Sequence, residues 1–184
     1  MMLIHALDEP PCTDSTTVSV LSGGVCDGTL TRLGSDALVA TDLVQTLEDR
    51  AHVISKLITR NVVISDYSAV WIYCASGHAL PLHYLGRRVI MPVRSCSRRL
   101  NPASEYRTIA GLSVSTPRQA VLDIARGGHY ADARDAGIAM NVKYRDLIRL
   151  LIAQPGWLGN DATARWLNED YAMVREAEKT PSIC

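Results

Sequence analysis

Apolar residues recur along this chain in two rhythms. From Leu43 to Thr59 the positions Leu43, Leu47, Ala51, Ile54, Leu57 and Ile58 return at three- and four-residue steps. That spacing predicts an amphipathic helix with Thr41 or Asp42 as its N-cap. The pieces Thr29–Leu33 and Ala37–Ala40, separated by Gly34-Ser35-Asp36, instead predict a β-hairpin with a three-residue turn. Upstream, Val18–Leu21 reads either as a strand or as a helix end stopped by Gly23-Gly24, and residues 8–16 read as loop.

Further along, Asn61-Val62-Val63-Ile64 predicts a short buried strand, and Ser65 caps a helix running from Asp66 to about Ala75, ended by Ser76-Gly77. Arg88–Val93 is a strand candidate whose Pro92 favours an edge. Leu112–Ser115 is another, followed by Thr116-Pro117 as N-cap and first helical residue, and by Gly127-Gly128 as the stop. Helices are expected over residues 130–139, 142–153 and 160–178, the last two separated by Gln154-Pro155-Gly156-Trp157-Leu158-Gly159. Strands and helices do not alternate regularly, so an α+β fold is expected rather than a doubly wound parallel sheet.

Composition adds limits. The 184 residues suit one domain or two small ones sharing a core. No apolar run is long enough for a membrane span, and Met1-Met2-Leu3-Ile4-His5 lacks the basic start of a secretory signal, so a cytoplasmic protein without membrane contact is expected. Cys12, Cys26, Cys74, Cys96 and Cys184 are odd in number and widely spaced, which predicts reduced thiols rather than disulfides or a metal knuckle.

The net charge of zero hides a separation. Residues 1–50 carry two basic against eight acidic groups, a net of −6, whereas residues 51–100 carry seven basic groups against Asp66 alone, a net of +6. Such asymmetry points to an electrostatic partner surface, to contact between the segments, or to solvated faces. Arg87, Arg88, Arg94, Arg98 and Arg99 cluster around a strand and the Ser95-Cys96-Ser97 turn. Arg94, Arg98 and Arg99 suit bidentate contact with phosphate or carboxylate, while Arg87 and Arg88 point to opposite strand faces.

Catalytic patterns are sparse. Ser22–Gly28 has the glycines of a phosphate loop but lacks its Lys-Ser/Thr, so it reads as a turn. Ser68, His78 or His83, and Asp66 or Asp123 are the residue types of a hydrolase triad, and Asp66 and Asp123 those of a metal-dependent nuclease, without spacing that selects either. For Asp123 a hydrogen bond or helix-side ion pair is the simpler role. No catalytic residue, metal or cofactor is expected.

Three segments in order resemble AbiEi-type antitoxins of toxin–antitoxin and abortive-infection systems. Thr29–Ala40 resembles the wing of that family's winged-helix head. Asn61–Tyr73 is similar to its short strand followed by a Ser-x-x-Ser-Ala helix, with Ser65, Ser68 and Trp71. Gly111–Ala125 is similar to its strand, Thr-Pro-Arg turn and Leu-Asp-x-Ala helix, with Thr116, Pro117, Leu122 and Asp123. The resemblance implies a winged-helix-like head over 1–42 and an antitoxin body over 43–184, mixed α/β to 128 and helical from 129. It also implies a nucleotidyltransferase-like toxin as partner and repression of the protein's own operon.

The head departs from a DNA reader. Residues 13–28 contain no basic side chain, and Arg32 is the wing's one cation. A net of −6 repels phosphates, which supply most non-specific DNA affinity. The head is therefore expected to be degenerate for DNA, with Asp8, Glu9, Asp14 and Asp27 as toxin-facing candidates. DNA or partner contacts fall to Arg32, Arg87, Arg88, Arg94, Arg98 and Arg99. A stand-alone DNA-binding regulator is the alternative.

Overall fold

A computed structural model describes residues 5–6, 23–33, 37–58, 62–87 and 93–179 of the chain, without the side chains of 5–6 and 170–179. The expected hairpin is present. Strands β2 (Leu30–Arg32) and β3 (Ala37–Ala40) pair antiparallel with Thr31 opposite Val39, and β1 (His5–Ala6) joins the other side of β3. Leu33, Ala37 and Val39 are buried and belong to the same hydrophobic cluster as Ile64, Trp71 and Leu122. The Leu80 N–H donates to the Leu33 carbonyl at 2.6 Å, fastening the hairpin to the middle of the chain.

Just before the hairpin, residues 23–26 are helical, so the paired glycines lie within a helical turn rather than stopping one. Asp27 N–H donates to the Gly23 carbonyl, and the stop comes at Gly28, whose φ of +80° a side chain would resist. Residues 18–21, and the recognition helix that a winged-helix head would place there, lie outside the described residues.

The long amphipathic helix expected from Leu43 divides in two. A 3-10 turn covers Thr41–Val44, and α1 spans Leu47–Ser55. Its N-cap is Thr46, not Thr41 or Asp42. Thr46 and Asp49 form a reciprocal capping box, with Thr46 Oγ1 accepting from Asp49 N–H and Asp49 Oδ2 accepting from Thr46 N–H. Of the expected stripe, Ala51, Ile54 and Leu57 are buried, but Leu43 is exposed and Val44 takes its place in the core.

A five-stranded mixed sheet follows, in the order β6-β5-β4-β8-β7. The central β4 (Val63–Ile64) pairs antiparallel with β5 (Leu82–Leu85) and parallel with β8 (Leu112–Ser115). At the edges, β6 (Ser95–Arg98) runs parallel to β5, and β7 (Tyr106–Ile109) antiparallel to β8. Ser95-Cys96-Ser97 is thus strand, not turn: its polar side chains line an edge where little is buried. Residues 88–92 of the expected Arg88–Val93 strand lie outside the described residues.

Helices cover the sheet: α2 (Asp66–Cys74), α3 (Pro117–Arg126), α4 (Tyr130–Ala139), α5 (Tyr144–Ala153) and α6 (Asn160–Lys179). The fold is α+β. Helix α3 sits centrally, packed on α2, α4, α5, α6 and β8. Thr116 caps it as expected, its hydroxyl accepting from Gln119 N–H. Ser65 occupies the N-cap of α2, but its hydroxyl makes no capping bond and donates to Asp66 instead. That helix has the expected extent, and the residue that stops it is Ala75, in left-handed conformation at φ +54°, just before Ser76-Gly77. Among the described residues no helix is long and apolar enough to cross a membrane.

Arg50 locks α1 to α2. Its buried guanidinium donates to the carbonyls of Ile72 (2.7 Å), Val44 and Gln45 (3.1 Å each) and Tyr73 (3.3 Å), gathering the carbonyl ends of two helical segments around one cation. Replacing Arg50 with Ala is expected to destabilise the fold by about 3 kcal/mol in urea melts, because those carbonyls lose their donors. A change under about 0.5 kcal/mol would mean water replaces the side chain without cost.

Candidate functional site

Two carboxylates and two arginines meet where α2, α3 and β6 converge. Asp66 opens α2 with a φ of +49°, an uncommon left-handed backbone, and is 1% exposed. Its Oδ2 accepts from Ser65 Oγ at 3.3 Å and lies 3.7 Å from His83 Nδ1, while Oδ1 lies 3.5 Å from Arg98 Nη1. The same Arg98 nitrogen donates to the Asp123 main-chain carbonyl at 2.5 Å. Arg98 therefore bridges the start of α2 and the last turn of α3, where free carbonyls favour a cation.

Asp123, buried on α3, makes the hydrogen bond and ion pair expected of it. Oδ1 accepts from Gln119 Nε2 at 2.8 Å and from Arg126 Nη1 at 3.4 Å. Its other oxygen, Oδ2, is buried without a partner. Burial, reinforced by the nearby Asp66 charge, pushes the Asp123 carboxyl up to about 7, against the pull of Arg126, Gln119 and Arg98. Burial likewise pushes Arg126 below the usual guanidinium range, although Asp123 opposes that shift.

Arg126 carries the network outward. Its side chain, 4% exposed, donates from Nη1 to Gln154 Oε1 (2.9 Å) and from Nε to Asn160 Oδ1 (2.9 Å), and its Cζ lies 5.8 Å from the Trp157 ring centroid. Gln154 Nε2 donates to Gln119 Oε1 and to the Ala103 carbonyl, both at 2.7 Å. Gln119 Oε1 also accepts from Glu105 N–H. Gly159 lets the loop before α6 close onto α3: a Cβ there would come within 2.6 Å of the Arg126 carbonyl, at a φ of +85°.

Above this network lies a cleft of about 440 Å³, lined by Leu85, Arg98, Arg99, Asp123, Arg126, Gly127, Trp157 and Leu158. Two of the arginines singled out from the sequence, Arg98 and Arg99, thus meet in one place. The others do not. Arg32 is exposed on the hairpin, Arg87 is exposed after β5, Arg94 is exposed before β6, and Arg88 lies outside the described residues. Arg98 also stands at the end of a strand rather than in a loop, partly committed to Asp66 and Asp123.

Of the acidic candidates, Asp8, Glu9 and Asp14 lie outside the described residues. Asp27 is exposed and organises its own turn, accepting from Thr29 N–H and Oγ1, which holds its carboxyl below the usual range. Trp71 and Leu122 are core residues. Ser68, Asp66 and His83 lie close together, but Ser68 Oγ donates to the Ala79 carbonyl at 2.6 Å and accepts from His83 main-chain N–H at 2.9 Å. That hydroxyl staples α2 to the segment before β5 and is not aimed at an imidazole. His78 stacks on the Tyr67 ring. Among the described residues, no group of three or more His, Cys, Asp or Glu side chains is placed to hold a metal ion.

No family model, curated protein or solved structure matches the chain. Sequence reasoning missed Gln119, Arg126, Gln154, Trp157 and Asn160. The Asp123/Arg126 spacing of three was a usable signal for a helix-side ion pair, but nothing in the sequence showed which loop would cover it.

The raised Asp123 carboxyl fixes a pH dependence. Folding favours its proton, so its contribution to stability is complete below about pH 4 and is lost as pH rises toward about 7. Between those limits the stability of the native chain relative to Asp123→Asn is expected to fall by roughly 1.4 kcal/mol per pH unit at most. Parallel stability curves for the two proteins would show that Asp123 titrates as it does unfolded.

Proposed function

We propose that the protein is an antitoxin that binds and neutralises a nucleotidyltransferase-like toxin, with repression of its own operon as a second role. One observation carries the reading. The three segments that resemble AbiEi-type antitoxins, far apart in sequence, form one packed unit. The wing-like hairpin adds its inner face to the core, β4 pairs with β8, and α2 packs against α3. The residues marked by the resemblance work as its joints: Ser68 staples α2, Thr116 caps α3, Trp71 and Leu122 fill the core, and Asp123 anchors the polar network.

Binding rather than chemistry also suits how the polar side chains are used. Asp66 and Asp123 are joined through Arg98, and the Ser68 hydroxyl is engaged by main chain. The acidic head then supplies a surface complementary to the basic, substrate-binding face of a nucleotidyltransferase. Repression is the weaker role, since Arg98 is partly committed to Asp66 and Asp123 and the arginines are spread, so that contacts along a duplex would rest mainly on Arg32, Arg87, Arg94 and Arg99. Steeply salt-dependent binding to its own promoter is the mark of that role.

The test is co-expression with a candidate nucleotidyltransferase-like toxin and a growth-rescue assay. Growth is expected to be restored, and the two proteins to co-purify. The combined charge reversals Asp8→Lys, Glu9→Lys and Asp14→Lys are expected to weaken the complex about tenfold at low salt and to flatten its salt dependence. Rescue without a physical complex would overturn direct neutralisation, and unchanged affinity would remove the acidic head from the interface.

A further inference from the structure

We propose that the cleft between β6, the C-terminal turn of α3 and the loop before α6 binds a small phosphate ester. Its phosphoryl group lies against Arg98, Arg99 and Arg126, and its apolar body against Trp157 and Leu158. The site stands apart from the toxin reading, and neither depends on the other.

Size and charge come first. A cleft of about 440 Å³ is within the range of small-molecule sites. Three guanidiniums line or border it, and their planar forks match phosphate oxygens in pairs. Asp66 offsets one of those charges from behind Arg98. Asp123 offsets Arg126 only in part, since burial pushes its carboxyl up to about 7. The surplus is positive, which favours a dianion over a singly charged carboxylate.

Unanswered hydrogen-bonding groups come second. Arg126 Nη2 and Trp157 Nε1 are both buried donors without an acceptor, and Asp123 Oδ2 is buried beside them without a partner. Buried polar groups in native proteins are nearly always matched; among the described residues seven such atoms are unmatched, and the three on Asp123, Arg126 and Trp157 belong to side chains that line this one cleft. Two donors lacking acceptors call for an oxygen-rich anion. The Arg126 guanidinium and the Trp157 ring are neighbours, so a single phosphoryl group serves both.

The apolar wall comes third. Leu158 is 91% exposed, yet it borders the cleft next to Trp157, with Leu85 also in the lining. An aliphatic side chain held in water beside an arginine cluster suits a ligand with an apolar or aromatic body attached to its anion. Gly156 and Gly159, at φ of +75° and +85°, bracket Trp157 and Leu158 and fix how the loop presents them.

The experiment is a titration of the ¹⁵N-labelled full chain with adenosine 5′-monophosphate, inorganic phosphate and adenosine, following the Trp157 indole N–H resonance, assigned with Trp157→Phe. The monophosphate is expected to shift that resonance saturably. Phosphate should bind at least about fivefold more weakly, and adenosine should leave it in place. Arg99→Ala and Leu158→Asp, both at exposed positions, should each weaken the monophosphate at least about fivefold with the melting temperature unchanged. No shift with about 10 mM monophosphate, or undiminished affinity in both variants, overturns the site. Phosphate binding as tightly as the monophosphate overturns the ester, and adenosine binding as tightly overturns the phosphoryl anchor.

Discussion

Burying the Asp123–Arg126 pair among the helices obliges the surrounding chain to answer it. Charged groups withdrawn from water are costly unless they are paired and hydrogen-bonded, and here every polar atom of the two side chains but Asp123 Oδ2 and Arg126 Nη2 finds a partner. Gln119 and Arg126 take one carboxylate oxygen, Gln154 and Asn160 take two guanidinium nitrogens, and Arg98 caps the Asp123 carbonyl. Beyond α3 itself, the partners come from the end of α5, the start of α6 and β6. The loop before α6 must reach α3 to deliver Asn160, which is why Gly159 sits against the Arg126 main chain where a Cβ would not fit. Gln154 ties the end of α5 to the Ala103 carbonyl before β7. One ion pair thus sets how the C-terminal helices and the sheet edge are arranged around α3.

The same arrangement explains what the sequence could disclose. Elements that bury a regular stripe or carry their own caps were readable: the hairpin, α3 with Thr116-Pro117, and the helices from Tyr130 onward. Elements defined by partners rather than by composition were not. Strand β6 is Ser-Cys-Ser-Arg on an exposed edge and shows no apolar alternation, so its residues look like a turn. Three exposed side chains of β7 hide it for the same reason. The break at Thr46 was masked because Leu43 and Leu47 keep a helical spacing across it, although the residue that the 3-10 turn buries is Val44. At the site, Asp123 was placed correctly as a pairing residue, but Gln119 and Gln154 carry no sequence mark of burial. Glutamine is ordinarily a surface residue, and only long-range contact makes it a core one.

Charge separation along the chain also acquires a structural meaning. The basic middle is not one patch. Arg98 faces inward to Asp66 and the Asp123 carbonyl, while Arg87 and Arg94 stay at the surface. Part of the +6 therefore stabilises the fold, and less of it is available to a polyanion than a count of arginines suggests. The acidic head has no comparable internal use among its described residues beyond the local turn at Asp27 and the cap at Asp49.

The dependence of the structure on its buried pair is open to direct measurement by a double-mutant cycle. Urea unfolding of Asp123→Asn, Arg126→Met and the double variant isolates the coupling between the two side chains. A coupling of at least about 2 kcal/mol is predicted, with the double variant less damaged than the sum of the single changes, because each single change leaves one buried group unanswered. Additive losses, with coupling near zero, would contradict the account and assign the arrangement around α3 to apolar packing alone.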